Sequence, residues 1–352
     1  MNSDIMIAGK AIQNDNKPFL IAEVAQAHDG SLGMAHAFVS AAAVAGADAI
    51  KFQTHIASAE STRDEPFRVL FSKQDATRYD YWKRMEFTPE QWQGLAEHAR
   101  ECGLVFLSSP FSVAAVRLLD QLGTPAWKIG SGELRSTDMM QAILATGKPI
   151  LLSTGMASYT ELDQLAAGFR CDGSPFAMFQ CTSKYPSCLE EVGLNVLQEF
   201  RKRYACPVGL SDHTGRTEPA MAAMARGAAM VEVHVTFHRS MFGPDVPASL
   251  TFEEFATLAA FRDALEVMRT HPVDKDALAH SLADSRRIFG KSVAPVRDLP
   301  TGTVLDLSML TLKKPATGIP PEHLDSLQGR RLRRNITADR LLQWSDLDDN
   351  NA

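Results

Sequence analysis

Two lysines stand where lysine is costly. Lys51 interrupts the run DAIKFQT and Lys128 the run AWKIGSG, both strand-like and apolar enough to be buried, where an ammonium needs a counter-charge or a ligand. Internal salt bridges to Glu23, Glu133 or Glu232 resolve that cost for one lysine taken alone. Two lysines accompanied by Ser109, Ser131, Ser153 and Ser211 at the ends of similar runs favour a phosphate or carboxylate site. Hydroxyls and glycine-flanked amides complete the hydrogen bonds of an oxyanion.

Two histidines pose the second question. VGLSDHTGR delivers His213 and MVEVHVTFHR delivers His234, each just as an apolar run gives out. A pair of neutral imidazoles suits a divalent metal, and coordination positions left to water or substrate make such a site catalytic rather than structural. A strand-end histidine serves equally as a hydrogen-bonded core residue or a general base. For His28 three roles stay open: a third ligand, a group behind the ligands, or a loop residue. Cys181 reads as a small buried thiol. The segments STG (153–155) and GSG (130–132) match neither the Walker A nor the dinucleotide-binding pattern.

These residues need elements that bring them together. Strand patterns fall at 19–25, 49–54, 105–110, 126–132, 149–155, 176–183, 207–213 and 230–236. Helical patterns fill the gaps at 33–46, 88–102, 111–122, 136–146, 158–168, 189–203, 217–227 and 251–270, the last opening on a capping pair, Thr251 and Glu254. The strands are almost continuously apolar, as in a parallel sheet buried on both faces. Such alternation predicts an α/β fold, a (β/α)8 TIM barrel, with an open doubly wound sheet as its rival. Barrel enzymes carry their chemistry at the C-terminal strand ends, and there the polar residues gather: Glu23; Lys51 and Gln53; Ser108 and Ser109; Lys128, Ser131 and Glu133; Ser153 and Thr154; Thr182, Ser183 and Tyr185; Ser211, Asp212 and His213; Glu232 and His234.

The segment DIMIAGKAI alternates as a hairpin across the barrel floor would. The expected domains are a catalytic barrel with this hairpin over residues 1–270, a polar linker over 271–285, and a small β-rich domain over 286–352, where Pro and Gly break short strands. With 352 residues the chain has ample core for this. A formal charge of -6 argues against nucleic acid and anionic membranes as partners. Five cysteines without CxxC spacing point to reduced thiols, and neither a signal sequence nor a long apolar run is present, so a soluble cytoplasmic protein is expected.

Several stretches together resemble the sialic acid synthase family, which condenses phosphoenolpyruvate with an N-acylated amino sugar to make nonulosonic acids. They are IAEVAQAHDG, GADAIKFQTH, LSSPFS, AWKIGSGEL, KPILLSTGM, CTSKYPS, VGLSDHTG, VEVHVT and GPDVPAS, in the family's order, and the tail SVAPVRDLPTGTVLDLSMLTLKKPATGIPP resembles its antifreeze-like (SAF) domain. The resemblance implies that Lys51, Lys128, Ser109, Ser131, Ser153, Ser183 and Ser211 hold phosphoenolpyruvate. It implies that His213 and His234 bind manganese or magnesium and that Glu23 lies beside the reacting carbons. It places Gln53, Glu133, Tyr185 and Asp245 on the sugar, and Lys314 at a position where the family usually has Arg, in a domain that caps a partner's barrel in a swapped homodimer. On this basis Glu23, Lys51, Lys128 and His234 form the catalytic set. The expected acceptor is N-acetylmannosamine or a similar sugar, with a 2,4-diacetamido-trideoxyhexose leading to legionaminate or pseudaminate as the alternative. A non-catalytic sugar-binding paralogue is the contrasting class. The sequence departs from the family's usual pattern at Ala25, Ala27, Asp29, Ser183, Val233 and Lys314.

Overall fold

The computed structural model describes residues 4–67 and 69–348. The chain divides into two units, Met1–Thr270 and His271–Ala352.

The N-terminal unit opens with a hairpin of β1 (Ile5–Ile7) and β2 (Lys10–Ile12), paired antiparallel. Eight strands follow: β3 (Phe19–Ala25), β4 (Ala49–Thr54), β5 (Val105–Pro110), β6 (Trp127–Ile129), β7 (Ile150–Ser153), β8 (Phe176–Cys181), β9 (Val208–Asp212) and β10 (Met230–Thr236). They pair in parallel in the order β5-β4-β3-β10-β9-β8-β7-β6, and the end strands β5 and β6 lie beside each other, so the sheet wraps into a nearly closed eight-stranded barrel. A short strand, β11 (Ser249–Thr251), extends the sheet beside β10.

Strand alternation sorts the side chains into an outside and an inside. Leu20, Ala22 and Val24 of β3, Ile50 and Phe52 of β4, and Val231, Val233 and Val235 of β10 belong to the large core between sheet and helices. The alternate positions, Phe19, Ile21, Ala49, Val105, Leu107, Ala126, Leu151, Ala177, Phe179 and Met230, form a second core inside the barrel, together with Ile5, Ile7 and Ile12 of the hairpin. The hairpin thus closes the floor. On these same inward faces the next positions along are Glu23, Lys51, Ser109, Lys128, Ser153, Cys181 and Glu232, all buried. The interior is oil at the bottom and charge at the top. Val233, where the family usually has a polar residue, points outward into the helix-side core and away from that charge.

Helices α1 (Leu32–Val44), α2 (Ala57–Glu60), α3 (Arg78–Met85), α4 (Pro89–Glu101), α5 (Val113–Gln121), α6 (Thr137–Leu144), α7 (Tyr159–Cys171), α8 (Leu194–Tyr204), α9 (Glu218–Ala225) and α10 (Phe252–Thr270) complete the unit. The anticipated cap of α10 forms: Thr251 N donates to Glu254 Oε2 at 2.8 Å, and Glu254 N to Thr251 Oγ1 at 3.3 Å. Helices α2 and α3 lie in the long connection after β4, where the sequence patterns place no helix.

In the C-terminal unit, the stretch read as a polar linker contains the short helix α11 (Lys275–Ser281) and the start of a second, α12 (Ala283–Phe289), which runs on past it. The side chain of Asp274 caps α11 by accepting from Asp276 N and Ala277 N. Strands β12 (Ser292–Pro295) and β13 (Leu310–Lys313) then pair antiparallel over a compact aliphatic core that includes Val293, Leu305, Ile319, Leu332 and Leu342. Among the described residues, no helix is long and apolar enough to cross a membrane.

Candidate active site

The charged top of the barrel encloses a cavity of about 60 Å³ lined by Glu23, Lys51, Gln53, Ser109, Lys128, Ser131, Ser153, Tyr185, Ser211, His213, Glu232 and His234. The top ends of β4, β6, β9 and β10 therefore bring both lysines and both histidines to one cavity. Lys51 Nζ lies 2.7 Å from Glu23 Oε2, 3.8 Å from Glu232 Oε2 and 3.2 Å from Ser109 Oγ. Lys128 Nζ lies 3.1 Å from Glu232 Oε1 and donates to Ser153 Oγ at 2.5 Å. Ser211 Oγ donates to Glu232 Oε1 at 2.8 Å.

The salt-bridge reading of the lysines is thus realised, with Glu232 as the hub. The two carboxylates are not equivalent. Burial pushes the Glu23 carboxyl up to about 8, with the charge of Lys51 opposing and that of Glu232 adding. Burial acts in the same direction on Glu232, but the charges of Lys128 and Lys51 and the hydrogen bond from Ser211 outweigh it and hold that group at about 2. A partly neutral Glu23 leaves two ammonium groups facing one full carboxylate, which is an environment short of negative charge.

Tyr185 packs its ring 4.1 Å from His213 and 5.6 Å from His234, whose own rings are 5.4 Å apart. His213 Nδ1 donates to the carbonyl of Thr182 at 2.7 Å, which leaves Nε2 with its lone pair. Burial depresses His213 to about 4 and, with the neighbouring His213, holds His234 well below its ordinary value. Both rings are neutral at physiological pH, and the buried Nδ1 of His234 has no hydrogen-bond partner. Two neutral imidazoles, one oriented by a backbone carbonyl and one with an orphaned nitrogen, fit a divalent metal. Among the described residues no group of three or more His, Cys, Asp or Glu is arranged to hold such an ion, so water or substrate oxygens would fill the other positions.

A second cavity of about 750 Å³ adjoins the first, sharing Gln53, Phe111, Gly130, Ser131, Tyr185 and His234 with its lining. Glu133, Ser183 and Asp245 belong to this outer space. Ser183 and Ser131 share a hydroxyl hydrogen bond of 2.8 Å, and Asp245 Oδ2 lies 4.0 Å from His234 Nδ1. Burial raises Glu133, against a hydrogen bond from Ser136 Oγ at 2.8 Å. Lys314 belongs to the C-terminal unit, its Nζ 5.5 Å from the ring centroid of Phe289.

His28 lines neither cavity. It is packed under Phe87, 4.8 Å between ring centroids, and its Nδ1 accepts from Gly30 N at 3.1 Å. Two participants stand out only in the structure. Glu232 reads in sequence merely as a partner for a lysine, although its inward register with Lys51 and Lys128 could have been counted. His55, two residues beyond Gln53, is sandwiched between Trp82 and Phe111 on the wall of the outer cavity.

Comparison with known proteins identifies the family. Residues 38–272 match the NeuB family and residues 290–348 the SAF domain. The chain is 30% identical to the N,N'-diacetyllegionaminic acid synthase of Campylobacter jejuni over 333 residues, covering 93% of this chain and 99% of that protein. It is 31% identical to the human N-acetylneuraminate-9-phosphate synthase over 335 residues, covering 94% and 93%. The crystal structure of the sialic acid synthetase of Leptospira borgpetersenii, solved with citrate, superposes with a TM-score of 0.70 at 27% identity, covering 81% of this chain and 97% of that one. With barrel, tail and family match in agreement, the chain belongs to the NeuB family and carries a C-terminal SAF domain.

Proposed function

We propose that this chain condenses phosphoenolpyruvate with an N-acetylated amino sugar, giving a nine-carbon 2-keto sugar acid and inorganic phosphate. The observation that carries this reading is the convergence of Lys51 and Lys128 on the small cavity that the histidine pair also faces. The lysines and the hydroxyls of Ser109, Ser131, Ser153 and Ser211 supply donors for the phosphate and carboxylate of phosphoenolpyruvate. The adjoining outer cavity, with Gln53, Glu133, Ser183, Tyr185 and Asp245, takes the open-chain sugar.

Carbon 3 of phosphoenolpyruvate attacks the aldehyde carbon of the sugar, forming the new C–C bond as the carbonyl π pair moves to the aldehyde oxygen, which takes the proton of neutral Glu23. Water adds to the electron-poor carbon 2 that results, and the Glu23 carboxylate left by that proton transfer, at the edge of the cavity, accepts its proton. Inorganic phosphate then leaves with cleavage of the bond between carbon 2 and the bridging oxygen, and the ketone forms. His213 and His234 would hold manganese or magnesium, which when bound supplies Lewis-acid polarisation of the sugar carbonyl. Tyr185 and the neutral histidine rings keep this end of the cavity shielded from bulk water.

The acceptor we favour is N-acetylmannosamine or a close analogue, with a 2,4-diacetamido-trideoxyhexose as the second candidate given the likeness to a legionaminic acid synthase. We place the protein in the cytoplasm as a homodimer, which light scattering of the purified protein tests. Phosphate release from phosphoenolpyruvate, assayed over a panel of amino sugars with and without manganese, tests the reaction itself. Sugar-dependent release supports it, and its absence with every sugar favours the binding paralogue.

A further inference from the structure

We propose that His55 is a positioning residue that locks the amide of Gln53 so that its NH2 group faces Glu23. This rests on the function proposed above, in which Gln53 and Glu23 meet the sugar and the reacting carbons. Gln53 borders both cavities. Its Nε2 donates to Glu23 Oε1 at 3.3 Å, and its Oε1 lies 3.3 Å from His55 Nε2 and accepts from Gln26 Nε2 at 3.4 Å. An unrestrained amide at the mouth of the cavity can turn over, aiming its oxygen at the carboxylate and its NH2 away from it. An Nε2–H of His55 donating to Oε1 disfavours that turn.

The imidazole is itself held on every side. Its ring centroid is 3.8 Å from that of Trp82 and 4.2 Å from that of Phe111, at 11° to each. Its Nδ1 lies 2.6 Å from Glu60 Oε1, and Glu60 Oε2 accepts from Ile56 N at 3.2 Å. A residue serving only to fill space between two aromatic rings has no use for a buried carboxylate on one nitrogen and a carboxamide oxygen on the other. The arrangement is a rigid support that transmits the placement of α2 and α3 to a group facing the substrate.

The test compares His55→Phe, which keeps the stacking but loses both nitrogens, with His55→Gln, whose terminal NH2 replaces the donor at the Nε2 position. Each is also made in a Gln53→Ala background of the full chain. Melting temperature is recorded beside kcat and the two KM values. The expected result is a loss of about 10- to 100-fold in kcat/KM for the acceptor in His55→Phe, with KM for phosphoenolpyruvate changed less than about twofold. His55→Gln recovers most of that loss, and His55→Phe adds nothing once Gln53 is alanine. Equal losses in both variants that follow the melting temperature, or full additivity with Gln53→Ala, overturn the proposal. Should the wild type release no phosphate with any sugar, the proposed function fails by itself. Crystal structures then decide the positioning role: Gln53 swung away from Glu23 in His55→Phe but held in His55→Gln supports it, and Gln53 unmoved in His55→Phe, or swung away in both, overturns it.

Discussion

Lys51 and Glu23 face each other in register on adjacent parallel strands, Nζ to Oε2 2.7 Å apart, with side-chain exposures of 3% and 1%. A buried pair of this kind is poor evidence of stability, because desolvation offsets most of the attraction. Its value lies in what an incoming anion finds, namely an ammonium already stripped of water and oriented by Glu23 and Ser109. Lys51→Met should therefore fold, since burial already favours a neutral Glu23, yet bind phosphoenolpyruvate on the order of 30- to 100-fold more weakly. Lys128→Met should lose a similar factor while leaving Glu232 charged with only the more distant ammonium of Lys51, 3.8 Å away, beside it, so it should also melt at a lower temperature. Calorimetric titration and circular dichroism of the two variants check both statements.

For the metal, the expectation concerns binding as well as turnover. His213→Ala removes a neutral imidazole whose orientation the Thr182 carbonyl fixes. Manganese affinity, followed by the electron paramagnetic resonance signal of the free ion, should fall at least about tenfold. Unchanged affinity would exclude His213 as a ligand.

His28 gives a pH prediction with a definite sign. Burial, assisted by the charges of His55 and Arg84, lowers it to about 3 from an ordinary 6.5. A depressed folded value means that the unfolded chain takes up the proton first. The stability from its neutral form is fully present above pH 6.5 and is lost as pH falls from there towards 3. Between pH 7 and pH 5 the loss from this group is about 2 kcal/mol. In His28→Asn, whose side-chain oxygen can still accept from Gly30 N, that increment should be missing, and urea unfolding of both proteins at the two pH values measures the difference.

Gly30 has φ +77°, and a Cβ there would stand 2.4 Å from the carbonyl oxygen of Arg84. Arg84 in turn binds Asp29 Oδ1 at 2.7 Å and Asp75 Oδ2 at 2.8 Å, tying the loop after β3 to α3. Gly30→Ala should cost at least about 2 kcal/mol through the left-handed backbone and the collision together. Thermal unfolding measures it, and a melting temperature equal to that of the wild type would contradict the contact.

Much of this was legible in the sequence because barrel strands carry their chemistry at fixed places. Lysine at 51 and 128 and histidine at 213 and 234 stand out against β-branched neighbours, and their distance from each strand start places them at the top of the barrel. Val233 shows the same rule at finer grain, since one step of alternation turns it out of the site. The connection after β4 was opaque for a physical reason. The helices α2 and α3 are short, and the roles of His55, Glu60 and Trp82 arise from stacking and hydrogen bonds across elements rather than from any local period. The helices α11 and α12 were hidden by their length, because seven residues each are too few for an apolar period to show.

The central claim is that phosphoenolpyruvate is joined to an amino sugar here and gives up its phosphate with the bridging oxygen. Mass spectrometry of products from phosphoenolpyruvate carrying oxygen-18 in the carbon 2–oxygen–phosphorus bridge tests this directly. The account predicts a new 2-keto acid three carbons longer than the sugar, formed only with sugar present, with the label in the released inorganic phosphate. Phosphate released without sugar and without a longer product, or label retained at carbon 2 of the product, would contradict it.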